Sequence, residues 1–398
     1  MRGNSHVRFL GGGGAEMPCC YPTRLPRAAP ATRPAHPKRT KPCLMAGLFY
    51  VPPFIEPPHP EVEDFSIYSR PRDMIHYRLD QLAGNIMDLT LLDGGMGREL
   101  KRIGAPFSQP LWSAQALIEA PDRVIEAHLN FIRAGARVIT ANSYACVPFH
   151  LGERRYREQG PALASLAARL AAQAVSRWQE ASVQPPSQAN APVASLSVAG
   201  CLPPALGSYR PDLFDPGRAR EITTALYHAQ DPHVDLWLAE TLSSLAEISV
   251  MQEVLAASEK PRWYALTLQD EVSDIARLRS GESVAEATQQ LCQGGADAIL
   301  FNCSIPEVMA QALVDAGDAM QRLKLSRPLG AYANSFSPIG DAHRANTTLT
   351  ADRELTPAGY LDYAKRWHSL GARLIGGCCG IHPAHIETLA DWHQAGNR

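Results

Sequence analysis

The sequence predicts an α/β fold, a (β/α)8 barrel behind a disordered N-terminal extension, on three observations. Short apolar runs alternate with longer segments of helical periodicity. Eight such pairs can be counted. They fill the roughly 300 residues after residue 86, the length of such a barrel with a few long loops.

The extension comes first in the chain. Across residues 1–86, proline recurs without period, from Pro22, Pro26 and Pro30 to Pro57, Pro58 and Pro60, and residues 11–14 are a run of glycine. Acidic residues are almost absent before Glu56. Such a segment cannot form a continuous hydrogen-bonded ladder and has little to bury, so disorder is expected. Met87 stands immediately before the first apolar run. The domain boundary is therefore set at 86/87, with 1–86 a Pro/Arg-rich disordered extension whose presence in the mature protein is left open, and 87–398 forming the barrel.

From residue 87 the strands are expected at 89–92, 137–141, 193–199, 234–239, 263–267, 296–301, 329–333 and 372–375. Several are almost wholly apolar, as parallel strands buried on both faces must be. The first long helix is expected at 121–134, where Val124, Ile125, His128, Leu129 and Ile132 share one face. The others are expected at 162–180, 217–229, 243–257, 283–292, 306–322, 357–370 and 383–392. Pro121, Pro306, Pro357 and Pro383 mark helix starts, where a missing N–H costs nothing. Gly135, Gly294 and Gly371 follow helices, where a left-handed residue is needed. A doubly wound open sheet is the alternative. Its first turn should carry a dinucleotide fingerprint, which Asp93-Gly94-Gly95-Met96-Gly97 matches only loosely.

Composition narrows the function classes. The chain is 45% hydrophobic and 20% charged with a formal net charge of −2. That balance suits a globular protein and gives no electrostatic case for nucleic acid or an anionic membrane. No apolar run reaches the ~18 residues of a membrane span. The nine cysteines are an odd number at irregular spacing, which predicts reduced thiols in the cytoplasm rather than a disulfide framework.

In a barrel, chemistry gathers at the carboxyl ends of the strands. The unusual residues fall there: Asp93 and Gly94, Asn142 to Tyr144, Cys201, Glu240, Asn302 and Cys303, Asn334, and Cys378 and Cys379. Flanking glycines are expected to let the Cys378–Cys379 turn aim both thiols at one centre, within reach of Cys303. Three thiolates form a soft donor set that favours zinc over magnesium or calcium. Three protein ligands leave a fourth position for an incoming thiol, which zinc holds as the nucleophilic thiolate. Cys303, Cys378 and Cys379 are thus the metal ligands and, through zinc, the catalytic residues. The competing readings are a strained vicinal disulfide or inert or redox thiols. Asp93 and Glu240 are placed to take an amino acid's ammonium group, and the Gly94 and Gly95 amides its carboxylate. Asp93 as a plain helix cap is the alternative. Asn302, Asn334 and Tyr144 complete the substrate-binding candidates. The Tyr144 ring suits a cationic donor, its other reading being a packing residue with a satisfied hydroxyl. His382 and His385 lie downstream of the cysteine pair, and no histidine is assigned a role.

These residues resemble the homocysteine S-methyltransferase family, which includes S-methylmethionine-dependent and betaine-dependent enzymes and the first module of cobalamin-dependent methionine synthase. The matching segments are Leu-Leu-Asp-Gly-Gly-Met-Gly (91–97), Leu-Trp-Ser (111–113), Arg-Ala-Gly-Ala (133–136), Asn-Ser-Tyr (142–144), Glu-Thr-Leu (240–242), Phe-Asn-Cys-Ser (301–304), Tyr-Ala-Asn-Ser (332–335) and Gly-Gly-Cys-Cys-Gly (376–380). The resemblance implies a TIM barrel, a zinc on Cys303, Cys378 and Cys379, and homocysteine near Asp93 and Glu240. It implies methyl transfer from a small sulfonium donor, S-methylmethionine or S-adenosylmethionine, to homocysteine, forming methionine. Gly-Cys-Leu-Pro-Pro (200–204) departs from the Gly-Ser-x-Gly-Pro expected there, and Tyr-Ala-Asn-Ser from Tyr-Pro-Asn-Ser. Betaine or another donor and acceptor pair, a zinc hydrolase, and a non-catalytic thiol-binding barrel are the alternatives. The partners expected are small molecules, with no nucleic acid and no membrane.

Overall fold

Eight parallel strands form where the sequence concentrates apolar residues. The computed structural model describes residues 89–182, 195–339 and 353–396. The extension predicted over 1–86 lies outside the described residues, as do the first two residues of the predicted third strand. The strands are β1 (Thr90–Leu91), β2 (Val138–Thr140), β3 (Ser197–Leu202), β4 (Leu236–Leu242), β5 (Arg262–Leu266), β6 (Ala298–Asn302), β7 (Leu329–Tyr332) and β8 (Ala372–Ile375). From β2 to β8 each strand pairs with the next in sequence, and β8 pairs with β1. A parallel bridge between Leu92 and Val138 joins β1 to β2. Hydrogen bonds from Arg137 N to Leu91 O (2.8 Å) and from Asp93 N to Val138 O (3.0 Å) complete the seam. The sheet therefore closes as a TIM barrel, and the open-sheet alternative is set aside.

The helices are α1 (Met96–Arg102), α2 (Ala114–Glu119), α3 (Pro121–Arg133), α4 (Pro148–Leu151), α5 (Glu153–Ser182), α6 (Pro216–Gln230), α7 (Leu245–Leu255), α8 (Val284–Gln293), α9 (Pro306–Leu323), α10 (Pro357–Ser369) and α11 (Pro383–Gly396). Asp215, Ser244, Ser283 and Thr356 accept backbone N–H groups at the starts of α6, α7, α8 and α10. Each such cap stabilises its helix by ~1 kcal/mol. No helix among the described residues is long and apolar enough to cross a membrane.

Side-chain alternation divides the core in two. Leu236 and Leu238 pack with Val138, Ala199, Trp263 and Leu300, a cluster supplied by the strands alone, which fills the barrel lumen. Trp237 and Ala239 point the other way, into the larger layer shared with Phe131, Leu226, Met309 and Trp367 of the helices. The alternation positions the site. Glu240 continues the lumen-facing set of β4, and Cys201 that of β3.

Two sets of boundaries differ from expectation. β3 and β4 run through Leu202 and Leu242, past the apolar runs, because parallel pairing continues at Gly200–Trp237, Cys201–Leu238 and Leu202–Ala239 for β3 and at Leu242–Leu266, against β5, for β4. Helix α5 begins at Glu153, nine residues before the expected start at 162, and runs through Pro161. The buried ring of Tyr156 packs across Gly160, where a Cβ would meet its Cε2 at 2.8 Å, and this anchors the first turns to the core.

Candidate active site

A cavity of about 190 Å³ opens at the carboxyl ends of the strands. The β1 turn contributes Asp93, Gly94 and Gly95, and β4 contributes Glu240. Cys303 comes from the end of β6, and Cys378 and Cys379 from the turn after β8.

The three sulfurs converge. They all lie within 4.8 Å of one another. Cys303 and Cys378 are in disulfide contact, with Cα atoms 5.6 Å apart, and Cys379 stands beside them outside that bond. Reduced thiols were expected, and the vicinal Cys378–Cys379 pairing is not the one formed. Two thiols aimed at one point are near enough to pair by oxidation or to share a metal ion. A tetrahedral zinc with Zn–S bonds of about 2.3 Å spaces its sulfurs about 3.8 Å apart, within the span of this cluster. The set is soft and could hold a metal ion.

The backbone is shaped around the cluster. Cys303 has φ 50°, a left-handed conformation that non-glycine residues adopt at a cost. The glycines beside the cysteine pair serve close approach more than turning. A Cβ on Gly376 would sit 2.8 Å from Asp93 O, and one on Gly377 would collide with Ile381. Of the flanking glycines only Gly380, φ 83°, uses the left-handed freedom expected of them. Gly95 packs against the pair itself, where a Cβ would lie 2.6 Å from Cys378 O.

Both acids are buried at the cavity wall. Asp93 Oδ2 accepts from Thr140 N (2.8 Å) and its Oδ1 from Thr140 Oγ1 (3.2 Å). Burial, and behind it the charge of Glu240, push the Asp93 carboxyl up to about 7, against the pull of the Thr140 amide. Glu240 Oε1 accepts from the Cys201 thiol (3.0 Å) and Oε2 from the Tyr332 hydroxyl (3.3 Å). Burial raises Glu240 as well, and those two bonds oppose the rise. Among the described residues, no Lys or Arg lines the cavity with these two acids.

Aromatic groups make the remaining wall: Phe107, Trp112, Tyr144, Tyr209, Tyr332 and Phe336. The Tyr144 hydroxyl bonds to Ser208 Oγ at 2.6 Å, and the residue also faces the cavity, so both of its expected roles coexist. Asn302 and Asn334 are not among the lining residues. Asn302 is engaged with Thr241, accepting from its N–H and donating to its Oγ1, both at 3.0 Å. Asn334 Oδ1 accepts from Phe336 N at 3.1 Å. The Gly95 amide is also taken, donating to Ile381 O at 2.9 Å, so of the two glycine amides only that of Gly94 remains a carboxylate candidate. His385 turns to Leu355 O (2.8 Å) and to the His382 amide (3.2 Å). Sequence reasoning missed Phe107, His150, Tyr209 and Phe336. Phe107, Tyr209 and Phe336 come from loops without periodicity, and His150 from the four-residue helix α4, too short to show one; Trp112 lines the cavity too, though its matching segment implies no role for it.

The family model described as homocysteine S-methyltransferase matches residues 90–393, the whole described barrel. This chain belongs to the homocysteine S-methyltransferase family. It is 32% identical over 317 residues to homocysteine S-methyltransferase of Escherichia coli, covering 76% of this chain and 94% of that protein. It is 24% identical to a selenocysteine Se-methyltransferase of Brassica oleracea, over 79% and 91% of the two chains. The crystal structure of the E. coli homocysteine methyltransferase MmuM in its metallated form superposes with a TM-score of 0.62 at 29% identity, covering 80% and 99%. Its oxidized form superposes with a TM-score of 0.61 at 28% identity, covering 77% and 96%. Within this family the cysteine cluster and the two acids are the features on which a functional reading must turn.

Proposed function

We propose that this family member transfers a methyl group from a small sulfonium donor, S-methylmethionine before S-adenosylmethionine, to the thiol of homocysteine, forming methionine. One observation carries the reading. A three-sulfur cluster and two buried carboxylates share a cavity whose described lining has no Lys or Arg.

Cys303, Cys378 and Cys379 would hold zinc. Their sulfurs are soft, convergent and joined by no histidine among the described residues, and a donor set of three leaves one position open. When bound, zinc keeps an incoming thiol in its thiolate form at neutral pH. Loading requires the Cys303–Cys378 pair to be reduced, which suits a cytoplasmic enzyme.

The chain's own residues do the rest. Asp93 and Glu240 receive the homocysteine ammonium group, whose positive charge offsets the repulsion between them. The Gly94 amide is the candidate partner for its carboxylate. Phe107, Trp112, Tyr144 and Phe336 offer ring faces to the sulfonium, which carries the methyl group opposite the thiol. The thiol gives up its proton to solvent before the donor reacts, and a lone pair of the resulting thiolate sulfur attacks the methyl carbon in line. The methyl–sulfonium bond breaks, its electron pair staying on the departing sulfur. Holding the two sulfurs on either side of one methyl removes most of the entropic barrier.

Donor charge and size separate the candidates. A net-positive sulfonium suits a wall with two acids. Betaine is net neutral, its carboxylate offsetting its ammonium, and gains less from such a wall. A cavity of about 190 Å³ matches amino-acid-sized groups better than an adenosyl moiety. The test supplies reduced, zinc-loaded full chain with homocysteine and each donor carrying a trideuterated methyl group, and reads methionine by mass. Labelled methionine is expected from S-methylmethionine foremost, with none from betaine and none from Cys378→Ala. Equal product from betaine overturns the sulfonium assignment. No product from any donor, with zinc retained, overturns methyl transfer.

A further inference from the structure

The segment between β5 and α8 carries an ion pair that the proposed chemistry does not use. Arg279 and Asp270 are joined at 3.0 Å, with side chains only 7% and 2% exposed. A buried pair of this kind costs much of its own attraction in lost hydration, so its bonds to other groups decide what it achieves.

Those bonds run to three strand ends and one wall of the cavity. Arg279 Nε donates to Thr267 Oγ1 (3.2 Å), just past β5, and Nη1 donates to Ile339 O (3.1 Å), in the loop after β7. Asp270 Oδ1 accepts from Ile305 N (3.0 Å), two residues past Cys303, and Oδ2 accepts from Ile339 N (2.8 Å). The guanidinium lies over the ring of Tyr209, its Cζ 4.5 Å from the centroid. Tyr209 comes from the loop after β3, lines the cavity, and has φ 62°, a conformation a tyrosine keeps only when its surroundings hold it. Its neighbour Ser208 bonds to the Tyr144 hydroxyl. One planar cation thus braces two aromatic residues of the cavity, the second through the Ser208 link.

We infer that Arg279 is a positioning residue, which fixes the Tyr209 wall of the cavity by stacking on it while its pair with Asp270 ties down the turns after β5, β6 and β7. The catalytic consequence rests on the methyl-transfer reading of the cavity; the positioning itself does not. A lysine cannot substitute. It keeps the charge but has neither the fork that spans Thr267, Asp270 and Ile339 nor the plane that covers a ring.

The test compares wild type, Arg279→Lys, Arg279→Met, Tyr209→Ala and Arg279→Lys/Tyr209→Ala in the full chain. Hydrogen exchange is read over residues 203–210 with α3 as an internal control, and kcat/KM per bound zinc is read with homocysteine and S-methylmethionine. In Arg279→Lys, exchange over 203–210 is expected to rise about tenfold, the scale of one desolvated cation–π contact, with α3 unchanged. Its kcat/KM is expected to fall by a similar factor. The fall should be markedly smaller in the Tyr209→Ala background, what remains coming from the lost bonds to Thr267 and Ile339, a non-additivity that a general loss of stability does not produce. Arg279→Met should exceed Arg279→Lys in both readouts, and if it does not fold, Arg279→Lys alone decides. Unchanged exchange in Arg279→Lys, or additive effects on kcat/KM, overturn the proposal. Should the wild type form no methionine, methyl transfer fails, and the exchange measurement still decides whether Arg279 positions Tyr209.

Discussion

The Cys201 thiol donates to Glu240 Oε1 at 3.0 Å, from adjacent lumen-facing positions of β3 and β4. Burial raises the Glu240 carboxyl, and this bond and the Tyr332 hydroxyl pull it back. If ionised Glu240 holds the homocysteine ammonium, affinity is lost as pH falls through its pKa. Cys201→Ala removes a donor and should move the acid limb of kcat/KM for homocysteine to higher pH. Cys201→Ser supplies a stronger O–H donor and should move it to lower pH. A pH profile of each variant checks this; shifts in the same direction refute it.

Asp93 costs stability above neutral pH. Its carboxyl is raised from 3.8 to about 7, chiefly by burial, so the folded state binds the proton more tightly than the unfolded one. Stability is therefore fullest below the unfolded pKa and declines as pH rises toward the folded one. Asp93→Asn should gain on the order of 2 kcal/mol at pH 8 and little at pH 4, while raising the KM for homocysteine. Urea denaturation at both pH values reads the difference. An equal change at both pH values contradicts the burial argument.

Two glycines should respond oppositely to alanine. A Cβ on Gly95 would lie 2.6 Å from Cys378 O, so Gly95→Ala should lose about 1–3 kcal/mol and disturb the cysteine cluster. Gly317 lies within α9 with no atom within 4 Å of such a Cβ. Gly317→Ala should gain about 0.5–1 kcal/mol by removing backbone freedom from the unfolded chain. Thermal melts of both variants give the signs.

Cysteines should divide by position rather than by burial. Cys379→Ser should release the metal, whereas Cys292→Ala should retain it, because Cys292 packs in the helical layer as a small hydrophobe. Zinc content after dialysis distinguishes them, and equal retention by both would remove Cys379 from the ligand set.

The barrel was legible because parallel strands buried on both faces must be apolar. The predicted range 372–375 is β8 residue for residue. Ends were less legible where pairing outlasts the apolar run, as at Gly200–Trp237. The cysteines and acids stood out by their chemistry at strand ends. Asn302 and Asn334 stood out equally, yet the first is engaged with Thr241 and the second with the Phe336 amide. Residue type alone does not tell a substrate group from a backbone brace. Tyr209 and Phe336 left no periodic signal, because loops place them, and Tyr209 depends on an arginine 70 residues later in the chain.

The central claim is that three cysteines hold a zinc whose fourth position takes the homocysteine thiol. Zinc K-edge X-ray absorption of the reduced, zinc-loaded chain tests it most directly. Three sulfur scatterers at about 2.3 Å are expected alone, and four once homocysteine is added. A sulfur count unchanged by homocysteine would contradict the account.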